Sequence, residues 1–305
     1  MKGKIWIIFL MIILMSACED EIHPTLPAAD PVIVIDGWLN DKPVVQKIGI
    51  HQTLPYFDAS PLPGVRGAKV TVSGSDITEY NFTETDSGNY IWDPVKAGKT
   101  FGNDGVTYIL TVETGGVTYT AACKMGAVPP IDSITFEFTK GNQFMKDGYT
   151  GQFYATDIPG YGNTYWIRAY KNGHFLNKPS EINIAFDAGF SQGSIVDGIP
   201  FIQPIRQGIN PYDQDENDIV LPSYLPGDSV YVEINAISVA AFNFLTQVSI
   251  QTNRPGGFGE LFAQPLANVP TNIDSSDPDH PAIGFFNVGS VSGLGKKVVA
   301  IPQDE

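Results

Sequence analysis

The sequence predicts a mostly β protein built from two antiparallel β-sandwich domains, immunoglobulin- or prealbumin-like, with one short helix in the second. Three observations predict this. Short apolar–polar alternating runs recur along the chain at roughly ten-residue spacing, the habit of sandwich strands. Glycine and proline, 31 and 23 of 305 residues, cluster between those runs, where turns must form. Apolar residues make up 43% and charged residues only 17%, a balance that buries a core and argues against disorder.

The chain opens with Lys2 and Lys4 ahead of an apolar run from Ile5 to Leu14, and small residues follow at Ser16-Ala17. That run is too short to span a bilayer, so residues 1–17 read as a cleaved export signal. Ser16-Ala17 followed by Cys18 resembles a lipobox, which implies a lipidated Cys18 as the mature N-terminus. Glu19, Asp20 and Glu21 come next and resemble the surface-export signal of Bacteroidota lipoproteins. Residues 18–31 then read as an acidic, proline-punctuated tether.

Alternation begins at Val32 and defines a first domain over 32–128. Val32–Ile35, Lys47–Ile50, Ala68–Val72 and Tyr108–Val112 read as strands. Gly115-Gly116 separates the last of these from Val117–Thr120, a two-residue hairpin signal. Val128-Pro129-Pro130 marks the boundary, because two prolines remove ladder donors. The second domain, 129–305, restarts with Ile131–Phe138, then Phe153–Ile158 and Tyr165–Tyr170. Asn172-Gly173 supplies another hairpin turn. Val230–Ile237 is a strand, and Ser238 caps a helix over about 240–251 whose Ala241, Phe242, Leu245 and Val248 recur at helical spacing. Ala282–Val288 and Lys296–Ile301 close the pattern.

Several of these stretches together resemble an uncharacterised family of Bacteroidota lipoproteins usually encoded beside TonB-dependent outer-membrane receptors. The carriers are Val34-Ile35-Asp36-Gly37-Trp38-Leu39, Gly67–Val72, Gly98 with Thr107–Val112, and Val128–Ile134. Ser238–Leu245 and Asn272 with Ile283–Phe286 continue the match. Gly67–Val112 is also similar to prealbumin-type or carboxypeptidase-regulatory-like modules. The resemblance implies an outer-membrane location and a TonB-dependent receptor as partner; it brings no activity with it.

Charge and chemistry narrow the function classes. Without the two leader lysines the chain keeps 16 basic against 33 acidic residues, a formal charge of −17. Such a surface repels nucleic acid. With Cys18 lipidated, Cys123 is left without a disulfide partner and reads as a buried structural thiol. The run Asp213, Asp215, Asn217, Asp218 offers oxygen ligands at calcium-like spacing. It departs from the EF-hand where Asp218 replaces the glycine and Tyr224 the bidentate glutamate, so a solvated acidic loop is the expectation. Histidines 23, 51, 174 and 280 form no metal pair, and no nucleophile elbow or phosphate loop is present. Trp38, Trp92 and Trp166 offer either a carbohydrate-stacking platform or core filling.

The expectation is a non-catalytic, cofactor-free outer-membrane lipoprotein facing the cell exterior, anchored in the bilayer through Cys18 and capturing ligand for a TonB-dependent transporter. The alternatives are a structural or adhesive surface protein and, third, a glycan-active hydrolase.

Overall fold

The computed structural model describes residues 30–300, apart from Tyr56 and Ser194. Pro31–Thr53 and the chain from Pro61 onward group together. Leu54–Ser60 groups apart from them and contains a turn in which Asp58 accepts a hydrogen bond from the Ser60 amide at 2.9 Å.

Strands dominate, as expected, and most arise where alternation is clean. The first seven are β1 (Ile33–Asn40), β2 (Gln46–Gln52), β3 (Lys69–Gly74), β4 (Glu79–Asp86), β5 (Asn89–Trp92), β6 (Thr107–Thr114) and β7 (Val117–Lys124). Alternate residues in the body of β3, β4 and β6 are buried (Val70 and Val72, Tyr80 and Phe82, Tyr108, Leu110 and Val112), so the two-residue period is the sheet's inner face. Gly115 and Gly116 hold φ of 58° and 82°, the paired left-handed geometry a tight hairpin demands, and β6 and β7 pair from Thr114↔Val117 onward. A one-turn helix, α1 (Pro94–Ala97), is capped by the Asp93 carboxylate.

Val128-Pro129-Pro130 carries no ladder. Beyond it come β8 (Ser133–Thr139), β9 (Gly148–Tyr154), β10 (Thr164–Lys171), β11 (His174–Phe175) and β12 (Asn183–Phe186). A short helix α2 (Gln203–Gln207), then β13 (Ser229–Ile237) and α3 (Val239–Thr252), lead to β14 (Asp274–Ser275), β15 (Ala282–Gly289) and β16 (Val291–Lys297). Asn172 and Gly173, at φ of 52° and 81°, turn β10 into β11. The predicted helix lies within α3: Ser238 Oγ accepts from the Ala241 amide at 3.1 Å, and Ala241, Phe242 and Leu245 are buried. The strand expected over Phe153–Ile158 lies five residues earlier, as β9.

Nine strands form one sheet in the order β14-β7-β6-β3-β4-β5-β2-β1-β15, nearly closed like a barrel around the first core. A second sheet runs β11-β10-β13-β16, with β12 also on β10, and β8 pairs with β9. The expectation of two contiguous antiparallel sandwiches split at 128–130 requires correction here. β14 and β15, from the C-terminal segment, belong to the first sheet, and β15 runs parallel to β1 from Ile33↔Ala282 to Asn40↔Gly289. The physical reason is apolar: Ile273, Ala282, Phe286 and Val288 complete the first core, whereas Val298 returns the chain to the second.

One residue, Ser290, separates β15 from β16, and polar contacts stitch the two sheets around it. The Ser290 amide donates to Gly126 O at 3.2 Å and its carbonyl accepts from Ala236 N at 2.9 Å. Val291 N donates to Asp41 Oδ1 at 2.9 Å. Lys42 pairs with the buried Glu233. A third, aromatic cluster fills the seam beneath α3, where Trp38 meets Trp166 edge to face at 5.2 Å and Phe285 in a stack at 5.8 Å.

Candidate functional site

A groove of about 340 Å³ lies beside the β10–β11 hairpin. One wall descends from the hairpin, with Lys171, Asn172, His174, Phe175 and Leu176, and continues through Asn177 and Lys178 into a 3₁₀ turn, Pro179–Glu181. The other wall is Pro211, Asp213, Leu221 and Pro222. Two prolines and the apolar Phe175, Leu176 and Leu221 give it a dry lining, and the ionic groups are fixed around that lining.

Each charged side chain has an assigned position. Lys171 Nζ donates to Ser223 O at 2.8 Å, stands 3.4 Å from the Asp228 carboxylate and lies over the Tyr224 ring. Lys178 pairs with Asp213 across the groove, and that hydrogen-bonded carboxylate holds its ammonium above the usual lysine range. The 3₁₀ turn is closed by Glu181, whose Oε2 accepts from the Lys178 amide at 2.8 Å. Its other oxygen, Oε1, is buried and has no partner. A buried acceptor left without a donor costs about 1–3 kcal/mol. The lining carries two lysines and two carboxylates, which balance, in contrast to the acidic chain around it. Apolar walls, the Glu181 carboxylate, and the amide and imidazole of Asn177 and His174 suit a neutral molecule with C–H faces and hydroxyl groups.

Behind Phe175, the Arg168 guanidinium is sandwiched among aromatic rings, 4.4 Å from Phe175, 5.1 Å from Trp166 and 5.7 Å from Tyr170. This stack stiffens the hairpin that bears one wall.

Of the acidic run, Asp213 lines the groove. Asp213 faces Lys178, while Asp215 turns away to Lys146 at 2.8 Å and closes its own turn by accepting from the amides of Asn217 and Ile219. The Lys146 hydrogen bond holds the Asp215 carboxyl below the usual range. Asn217 and Asp218 are exposed, and Asp218 takes φ of 60° in the turn. The run is tied down by two ion pairs and its four residues do not converge.

Among the described residues, the acids that do converge are Asp157, Asp187 and Asp197, with carboxylate oxygens within 4.8 Å of one another. They are an all-oxygen set of the kind hard cations accept. Each also braces loop backbone. Asp157 accepts from Tyr165 Oη at 2.6 Å and Gly198 N at 3.1 Å. Asp187 accepts from the amides of Gly162 and Asn163, and Asp197 from that of Gly160. Burial raises the Asp157 carboxyl. Forty residues separate the first from the last, so no spacing in the sequence signals the trio.

Trp92 is buried with Tyr80 and Phe101, and Trp38 and Trp166 fill the seam under α3, so the tryptophans pack the interior rather than form a stacking platform. Cys123 is buried, accepts from Val288 N at 3.3 Å, and burial pushes its thiol up. Cys18, Glu19, Asp20 and Glu21 lie outside the described residues. Among the described residues no helix is long and apolar enough to cross a membrane.

A family model described as Domain of unknown function (DUF4249) matches residues 19–293, and the chain belongs to that family. No curated protein matches the chain.

Proposed function

We propose that this family member is a non-catalytic, surface-exposed outer-membrane lipoprotein that captures a small ligand in the Lys171–Pro222 groove and hands it to a TonB-dependent transporter. The observation that carries the reading is the groove itself, whose lining joins Phe175, Leu176, Leu221 and two prolines to the side chain of Glu181. A carboxylate in such a lining is an acceptor for hydroxyl donors. The ligand class is therefore a neutral, hydroxyl-bearing molecule such as a sugar, whose C–H faces pack on Leu221, Pro222 and Phe175. The leader and Cys18 support the anchor, and Glu19-Asp20-Glu21 support the outward orientation. Attachment near a transporter raises the effective concentration of whatever the groove holds, without any new contact.

The test has two arms on the full chain. Affinity purification from detergent-solubilised outer membranes is expected to bring down a TonB-dependent receptor, and external protease on intact cells is expected to cleave the protein. Saturation-transfer NMR with neutral disaccharides is expected to show contact that Glu181→Ala removes. A protein shielded from external protease with no receptor attached would overturn the capture role in favour of a structural one. Disaccharide contact that survives Glu181→Ala would move the ligand out of this groove.

A further inference from the structure

Past the C-terminus of α3 the chain leaves the core as a braced finger. Gly256 and Gly257, at φ of 64° and 52°, turn it into a 3₁₀ segment, Gly257–Phe262. Arg254 pairs with Glu260 at its base and donates from Nη1 to Gln264 O at 2.8 Å. Gln251 Oε1, on the last turn of α3, accepts from Ala267 N at 3.1 Å and ties the returning segment back to the helix. The side chains this bracing leaves outward are Phe258, Leu261, Phe262 and Leu266, which are 77%, 74%, 79% and 60% exposed. The two phenylalanine rings meet edge to face at 5.6 Å.

Its charge sets the finger apart. Between Pro255 and Ile273 the sole charged residue is Glu260, and Arg254 neutralises it. Elsewhere the chain carries a net charge of −15. Four large, exposed apolar side chains between positions 258 and 266, on a braced segment free of net charge, form a surface whose complement is apolar rather than ionic.

We infer that this finger is a second membrane contact, seating Phe258, Leu261, Phe262 and Leu266 in the apolar margin of a lipid bilayer. The inference rests on the Cys18 anchor proposed above. Twelve chain steps lead from Cys18 to Asp30, and an extended chain covers at most about 3.6 Å per step, so the tether spans no more than about 43 Å. The domain is thus always within reach of lipid. A tether fixes distance and leaves orientation free, and an apolar tip that dips into the interface supplies the missing constraint. α3 packs against the Pro179–Glu181 turn, so seating the finger also sets the attitude of the groove. With no basic residue in the tip, the contact needs neither anionic lipid nor low salt.

The experiment uses the mature chain, residues 18–305, with Cys18→Ser, so that no acyl group contributes. Flotation with phosphatidylcholine vesicles is expected to carry the protein, equally in low and high salt. Phe258→Ser with Phe262→Ser is expected to weaken vesicle binding about a hundredfold, since two exposed aromatic anchors are lost. Both side chains are exposed, and an unchanged melting temperature confirms that the variant is folded. Leu261→Cys bearing an environment-sensitive dye is expected to shift to the blue on vesicles, the native Cys123 being buried. Absence of vesicle binding, or binding that the double variant leaves intact, overturns the proposal. Concentration-dependent self-association removed by the double variant, without vesicle binding, assigns the finger to a second copy and overturns it equally. The mass of the native N-terminal peptide separates this from the anchor: an unmodified Cys18 refutes lipidation whatever the vesicles show.

Discussion

Replacing Phe286 by alanine tests whether the C-terminal strand is structurally part of the first sheet. Phe286 is wholly buried in the first core, and its ring lies where a Cβ on Gly37 would come within 3.2 Å. The Asn272 carboxamide clamps its backbone, accepting from Phe286 N at 2.9 Å and donating to Phe286 O at 2.8 Å. With the backbone held on both sides, the void cannot collapse, and the cost falls in the 3–5 kcal/mol range for a buried Phe→Ala, about 4 kcal/mol. For a unit of this size each kcal/mol shifts Tm by about 2–4 °C, so a drop of about 8–16 °C is expected in scanning calorimetry. Phe153→Ala, wholly buried in the second core, is the comparison. Because β15 and β16 are separated by Ser290 alone and the seam is bonded on both sides, both variants are expected to lower a single transition together. A Phe286→Ala endotherm that splits, leaving the second-core transition at the native temperature, would refute the coupling.

Two further predictions follow from single positions. Gly289→Ala places a Cβ 1.8 Å from Ala236 O, a backbone atom with no freedom to yield, so it is expected to destabilise by several kcal/mol and to cut the yield of soluble protein. The Tyr108 hydroxyl, pushed up to about 12 by burial, keeps its proton between pH 10 and 12 while an unfolded tyrosine loses it; stability therefore falls as pH rises through that window, and Tyr108→Phe is expected to flatten the slope in urea titrations.

Local signals were legible wherever the physics was local. Gly115-Gly116 and Asn172-Gly173 announced their hairpins because two successive positive φ angles select those residues, and Ser238 announced α3 because an N-cap oxygen is a sequence-adjacent need. The two-residue period located many strands, although β4 went unread because Glu79–Asp86 presents mostly polar residues, β5, β12 and β14 because they are four residues or fewer, and the closing strand expected over Lys296–Ile301 lies earlier, as β16. The parallel pairing of β1 with β15 joins residues about 250 apart and leaves no trace in either segment, since the same buried run suits an antiparallel neighbour equally well. The groove was half visible. Asp213 stood out within an acidic run, but Glu181 is an isolated glutamate whose significance comes from an oxygen left without a donor, a fact of packing. The acidic trio and the apolar finger are likewise products of chain folding and exposure.

The placement of β15 also bears on the order in which the protein is made. The chain is synthesised from its N-terminus, and the flank of β1 that β15 will occupy stays unpaired until residues 282–289 emerge. Until then the first half presents a bare strand margin, with its backbone donors and acceptors available to any neighbouring chain. Completion of the first sheet is thus deferred until residues 282–289 have been made, a delay that leaves the nascent first core in need of protection. For the same reason, a fragment ending at Val128 would not be a smaller version of the protein. It would be one with an open seam, prone to find its missing strand in another molecule.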